Sequence, residues 1–144
     1  MGYGYGRRGW GGFEGGASWA SAQMPPLPPP PPGTLRVAAG TDTADGLNAP
    51  VSARFARTPF LTIVDIVDGR ATRVEPMPNA FASGAGGVGA AVGQWLLSSG
   101  VSVVVAPSLG PNISMILGQA GVRVEVVPPG VPLGEALKRL GLLR

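Results

Sequence analysis

Beyond residue 33 the chain alternates short apolar runs with polar stretches punctuated by glycine and proline. Residues 35–39 read as a short strand that leads into a polar loop over 40–48. Residues 60–66 form a second apolar run of strand length. Asp68-Gly69 is a two-residue turn signal and residues 71–75 return from it, so the two runs pair as a hairpin. Pro76 and Pro78 are expected to end that hairpin, because proline cannot donate to a ladder. A glycine-rich loop precedes a helix predicted over 88–99, with Gly100 as the residue just past its end. Residues 101–106 are apolar apart from Ser102, the pattern of a strand buried on both faces. Pro111 opens the next helix at its first position and Gly121 closes it. Residues 122–126 read as a strand. Pro132 opens a last amphipathic helix, with Leu133, Leu137 and Leu140 on one face and Glu135, Lys138 and Arg139 on the other.

The predicted order is β-β-β-α-β-α-β-α. Strand–helix–strand units require parallel, right-handed crossovers, whereas a hairpin is antiparallel. The expected fold class is therefore α/β, with a mixed sheet of five strands and helices packed on it. In that topology the loops after the first, third, fourth and fifth strands gather on one edge, and the segment before the second strand starts there. Ligands of open α/β sheets favour the carboxyl edge. Two helix N-termini also point to it, each with free N–H groups and a partial positive charge.

The first 33 residues have neither period. Tyr3, Tyr5, Trp10, Phe13 and Trp19 are spaced among glycines up to about residue 21, a composition expected to remain disordered. Pro25, Pro26 and residues 28–32 then read as an extended polyproline II spacer. The expected division is a tail over 1–33 and a domain over 34–144.

Composition narrows the chemistry. There is no cysteine and no histidine, so no disulfide, no thiolate or imidazole ligand and no Ser–His or Cys–His pairing is available. The clustered carboxylates, Asp42, Asp45, Asp65 and Asp68, do not assemble into a two-metal site. Asp68 is explained by its turn, and Asp65 occupies a strand position read as facing outward. The chain is therefore expected to be non-catalytic, with no metal ligands. A formal charge of +3 is weak for a dedicated nucleic-acid binder. The longest strongly apolar run, 101–106, is far short of the roughly 20 residues of a membrane helix, and a cytoplasmic location follows by default.

Candidate site residues fall on the predicted carboxyl edge. The loop Ser83-Gly84-Ala85-Gly86-Gly87-Val88-Gly89 matches G-x-G-x-x-G by letter, but two prolines separate it from the strand and no acidic residue follows within about 20 positions. It serves either as a plain flexible loop or as a cradle of backbone N–H groups for an anion. Ser108 and Asn112 lie in a strand-to-helix loop and suit either capping or anion contact. Arg54 and Arg57 flank Phe55 just before the second strand, where they are either solvated or give the edge positive charge. Asp42 and Asp45 stand opposite, able to pair with these arginines or to form turns.

Leu35-Arg36-Val37-Ala38, Leu47-Asn48-Ala49-Pro50-Val51-Ser52, Arg54-Phe55-Ala56-Arg57-Thr58-Pro59-Phe60 and Ile63-Val64-Asp65 follow one another in a particular order and spacing. The glycine loop, Ala90-Ala91-Val92-Gly93-Gln94-Trp95-Leu96, Gly110-Pro111-Asn112 and Ala120-Gly121-Val122-Arg123-Val124 continue it. As a set they resemble the dinitrogenase iron–molybdenum cofactor biosynthesis family over nearly everything after Gly33. The resemblance implies a ribonuclease H-like fold without nuclease chemistry. It also implies relatives that bind or carry iron–sulfur or iron–molybdenum cofactor precursors and deliver them to a protein partner. Many relatives have His before the Phe, where this chain has Arg54.

The leading functional expectation is a non-catalytic binding or carrier module. Its ligand would be an anionic metallocofactor or small anion, held by Arg54, Arg57, Ser83, Gly84, Gly86, Gly87, Ser108 and Asn112. The alternative is nucleic-acid or anionic-polymer binding through Arg7, Arg8 and the aromatics of the tail.

Overall fold

The computed structural model describes residues 24–144, so the Gly/aromatic part of the tail and the polymer-binding alternative built on it lie outside the described residues. The strands are β1 (Leu35–Thr41), β2 (Phe60–Val67), β3 (Arg70–Pro78), β4 (Val103–Ala106) and β5 (Arg123–Val126). The helices are α1 (Val88–Ser98), α2 (Pro111–Gln119) and α3 (Leu133–Arg139). The sheet order is β3-β2-β1-β4-β5. β2 runs antiparallel to both its neighbours, while β4 and β5 run parallel to β1. This is the mixed five-stranded α/β sheet that the apolar pattern predicts.

Alternation along the central strands divides the core. Ala38, Leu61, Ile63 and Val104 face α1 and α2, packing against Val92, Leu96, Ile113 and Leu117. Val37, Ala39, Val64, Val103 and Val105 face α3 and meet Leu133, Ala136 and Leu137. A one-residue slip of any central strand would exchange the two sets, so the register is strongly specified. At the hairpin tip Asp68 and Gly69 have φ of 52° and 78°. Both central residues of a type I′ turn need positive φ, which explains the Asp-Gly pair.

Two expectations change. β3 runs through Pro76 to Pro78, with Thr62 opposite Pro76 and Phe60 opposite Pro78. Proline is tolerated there because β3 is an edge strand, where a missing N–H can face away from the sheet. Asp65 does not face solvent. It is 4% exposed and lies opposite Arg36, itself 2% exposed. Arg36 grips it with two parallel bonds, Nε to Oδ1 at 2.8 Å and Nη2 to Oδ2 at 3.0 Å. A buried carboxylate is tolerated only when paired and hydrogen-bonded in this way.

The polyproline segment before Gly33 is not a free spacer. Residues 24–30 lie against the core rather than apart from it. Met24 is 4% exposed within the cluster that holds Phe55, Phe81 and Trp95, and Leu27 packs on the same cluster. Two apolar side chains among the prolines supply the reason, since each buries area that a solvated spacer would leave in water.

Candidate functional site

The segment before β2 is built around one anchor. Phe55 is 3% exposed, which fixes the loop and leaves Arg54 and Arg57 on its outer side. Thr58 then enters the core, where its hydroxyl donates to Thr41 O at 3.0 Å. Thr58 needs Gly40 beneath it, because a Cβ at Gly40 would come within 2.9 Å of Thr58 Cβ. These contacts lock the arginine loop to the carboxyl end of β1.

Arg54 and Arg57 line an open pocket of about 410 Å³ together with Asp42, Val51, Ser52, Pro59, Pro129 and Gly130. Asp42 is the one acid among these lining residues, against two arginines. Among the described residues neither arginine takes part in an ion pair with a carboxylate. Arg57 instead donates through Nη1 to Ala82 O at 2.8 Å and to Gly84 O at 3.2 Å. It therefore ties the pocket to the glycine loop while leaving Arg54 as the guanidinium with more freedom.

The remaining sequence-predicted residues divide into two groups. Ser83, Gly84, Gly86 and Gly87 lie beyond the Arg57 bridge, with Ser83, Gly86 and Gly87 exposed. Gly87 occupies the N-cap position of α1 with φ 71°. Ser108 and Asn112 are exposed at the start of α2, whose N-cap is Gly110. Ser108 does not cap the helix, since neither α1 nor α2 has a side-chain cap bond. Neither first turn holds an acid, so both helix ends keep unneutralised N–H groups and positive dipole ends. The two helices pack side by side through α1 glycines, and a Cβ at Gly89 would lie 3.8 Å from Ile113 Cβ. The structure thus gathers the candidates along one edge, with the pocket formed by the arginines and not by the glycine loop.

Sequence reasoning missed two contributors. Pro129 and Gly130, from the loop after β5, form part of the pocket wall, and Gly130 N donates to Val51 O at 2.8 Å. The Pro-Pro-Gly run there was the available signal. Asn79 is the second. Its Nδ2 donates to Ala56 O at 2.9 Å and to Thr58 O at 3.0 Å, and its Oδ1 accepts from Phe81 N at 3.1 Å. It fastens the start of the glycine loop to the arginine loop, a long-range role with no local signature.

The donor set decides what kind of ligand this edge suits. Guanidinium, hydroxyl, amide and backbone N–H groups recognise oxyanions. Cluster iron prefers thiolate and imidazole, which the chain lacks throughout. Among the described residues no group of three His, Cys, Asp or Glu is placed to hold a metal ion. No helix among them is long and apolar enough to cross a membrane.

Comparison with known proteins agrees with the residue pattern. No curated protein sequence matches the chain significantly. Solved structures do. The apo form of the orange protein from Desulfovibrio gigas is 27% identical with a TM-score of 0.65, the match covering 76% of this chain and 91% of that one. A Thermotoga protein described as a NifB protein of the DUF35 family is 34% identical with a TM-score of 0.57, covering 74% of this chain and 87% of that one. The family model for dinitrogenase iron-molybdenum cofactor proteins matches residues 35–142, from the first residue of β1 to within two of the last, and the chain belongs to that family.

Proposed function

We propose that the chain is a non-catalytic cytoplasmic carrier that holds an anionic metallocofactor precursor, or a small oxyanion, at the carboxyl edge of its sheet and passes it to a protein partner. The observation that carries this reading is the pair Arg54 and Arg57 beside one open pocket, without carboxylate partners for their charge among the described residues. Family membership supplies the cofactor class. The Desulfovibrio relative is named as an apo form, which points to a loaded form of that protein. The strand order β3-β2-β1-β4-β5 with β2 reversed supports the ribonuclease H-like classification.

The residues present do not fit direct ligation of cluster iron. The ligand in this reading is gripped by charge and hydrogen bonds, with Arg54 supplying a fixed positive charge. Loops after β1 and β5 form the walls, Arg57 braces the glycine loop, and the uncapped ends of α1 and α2 add positive potential along the same edge. Titration calorimetry with molybdate, phosphate and isolated cofactor tests the reading. Saturable binding of at least one is expected. A wild-type protein that binds none of them would overturn it.

A further inference from the structure

The N-terminal strap carries more order than a tether needs. Residues 24–30 read Met-Pro-Pro-Leu-Pro-Pro-Pro. Polyproline II has three residues per turn, so every third side chain shares a face. Burial follows that period: Met24 is buried, Leu27 and Pro30 are half-buried, and Pro25, Pro26, Pro28 and Pro29 are exposed. The hydrogen bonds keep the same spacing. Trp95 Nε1 donates to Pro25 O at 3.1 Å, and Arg36 Nη1 donates to Pro28 O at 2.6 Å. Leu27 is the one non-proline residue between Pro25 and Pro32, and its N–H donates to Ser99 Oγ at 3.0 Å. Below Pro30 the surface is cut to fit, since a Cβ at Gly100 would lie 2.6 Å from Pro30 Cδ. Arg36 is itself held by Asp65 and by Ser99 O at 2.7 Å.

An aromatic N–H, a guanidinium and a hydroxyl, set at the pitch of a polyproline helix over an apolar floor, form a peptide-recognition groove. The family match begins at Leu35, so the strap lies before the matched region while its receptors Arg36, Trp95 and Ser99 lie within it. We propose that this groove is a binding site for proline-rich segments of the form apolar-Pro-Pro-apolar-Pro, occupied in cis by the chain's own strap, and that a proline-rich segment of another protein docks there by displacing it. Gly33, with φ 82°, lies in a turn closed by Thr34 N donating to Pro31 O at 3.1 Å, where the strap joins β1. The arrangement is independent of the anion site and stands whether or not that site binds.

The test uses the full chain and a fluorescent synthetic peptide spanning residues 24–33. Cis occupancy acts as a millimolar competitor, so wild type should bind the peptide weakly. Substituting Met24→Asp and Leu27→Asp in the strap empties the groove without altering its walls, and affinity for the peptide should rise at least about tenfold. Adding Trp95→Phe should abolish the gain, as should a peptide carrying Leu27→Pro, which has no N–H for Ser99. In wild type, hydrogen exchange at the Leu27 amide should run well ahead of exchange at Val37. A folded double variant with no gain in affinity would overturn the proposal. So would loss of folding in that variant, Leu27 protection equal to that of Val37, or peptide binding indifferent to Trp95, because each makes the strap part of the core or places the peptide elsewhere.

Discussion

Arg36 and Arg54 stand at opposite ends of the same sheet and have opposite surroundings. Arg36, at the start of β1, is 2% exposed and engages Asp65, Pro28 O and Ser99 O. Arg54, on the loop before β2, is exposed beside an open pocket. A buried guanidinium with four of its five N–H groups engaged by protein acceptors holds structure together. One left facing solvent keeps its donors for a ligand. The amino end of this sheet is filled by the chain's own groups, whereas the carboxyl end is left open.

The contrast can be broken most severely at Asp65. Asp65→Ala leaves Arg36 charged and buried without its partner, and stability should fall by about 3–5 kcal/mol in urea denaturation. A loss below 1 kcal/mol would mean that water reaches Arg36. At the other end, Arg54→Ala should weaken anion binding by about 1–3 kcal/mol in calorimetry. Its stability should stay within about 0.5 kcal/mol of wild type, as for surface changes in general. A large stability loss at Arg54 would erase the distinction between the two ends. Trp95→Phe removes one donor to the strap and should cost about 1 kcal/mol of stability, the usual scale of a single hydrogen bond. The smallest effect is expected on α3, where Glu135 pairs with Arg139 one turn away in solvent. Glu135→Gln should cost about 0.3–0.5 kcal/mol, a loss that salt should mask.

Much of the fold was legible because its signals are local. The Asp68-Gly69 turn, Pro111 at the first position of α2 and Gly100 past the end of α1 each mark a boundary by their own backbone preference. The arginines were legible as an edge pair because topology alone places the segment before β2 there. What escaped was long-range or depended on neighbours. Arg36 and Asp65 meet only once the β1–β2 register is known. Asn79 bridges two loops by bonds to backbone that no sequence period announces. Pro76 stops a central strand but not an edge strand, and the edge position of β3 follows from the whole sheet. The packing of the strap escaped because a proline run announces polyproline II but not which of its faces meets the core.

The central position of β1 has a kinetic consequence. β1, β2 and β3 are consecutive in the chain and neighbours in the sheet, so this meander closes through connections shorter than the one that leads to β4. The other flank of β1 must wait for β4, since Val37 pairs with Val103 across everything between. Closing that long loop costs entropy before any contact rewards it. Folding should therefore proceed from an early antiparallel half to a late parallel half, with β4 docking as the slow step. During synthesis the meander can form while β4 is still unmade, leaving one side of β1 open to misplaced strand partners until β4 has emerged.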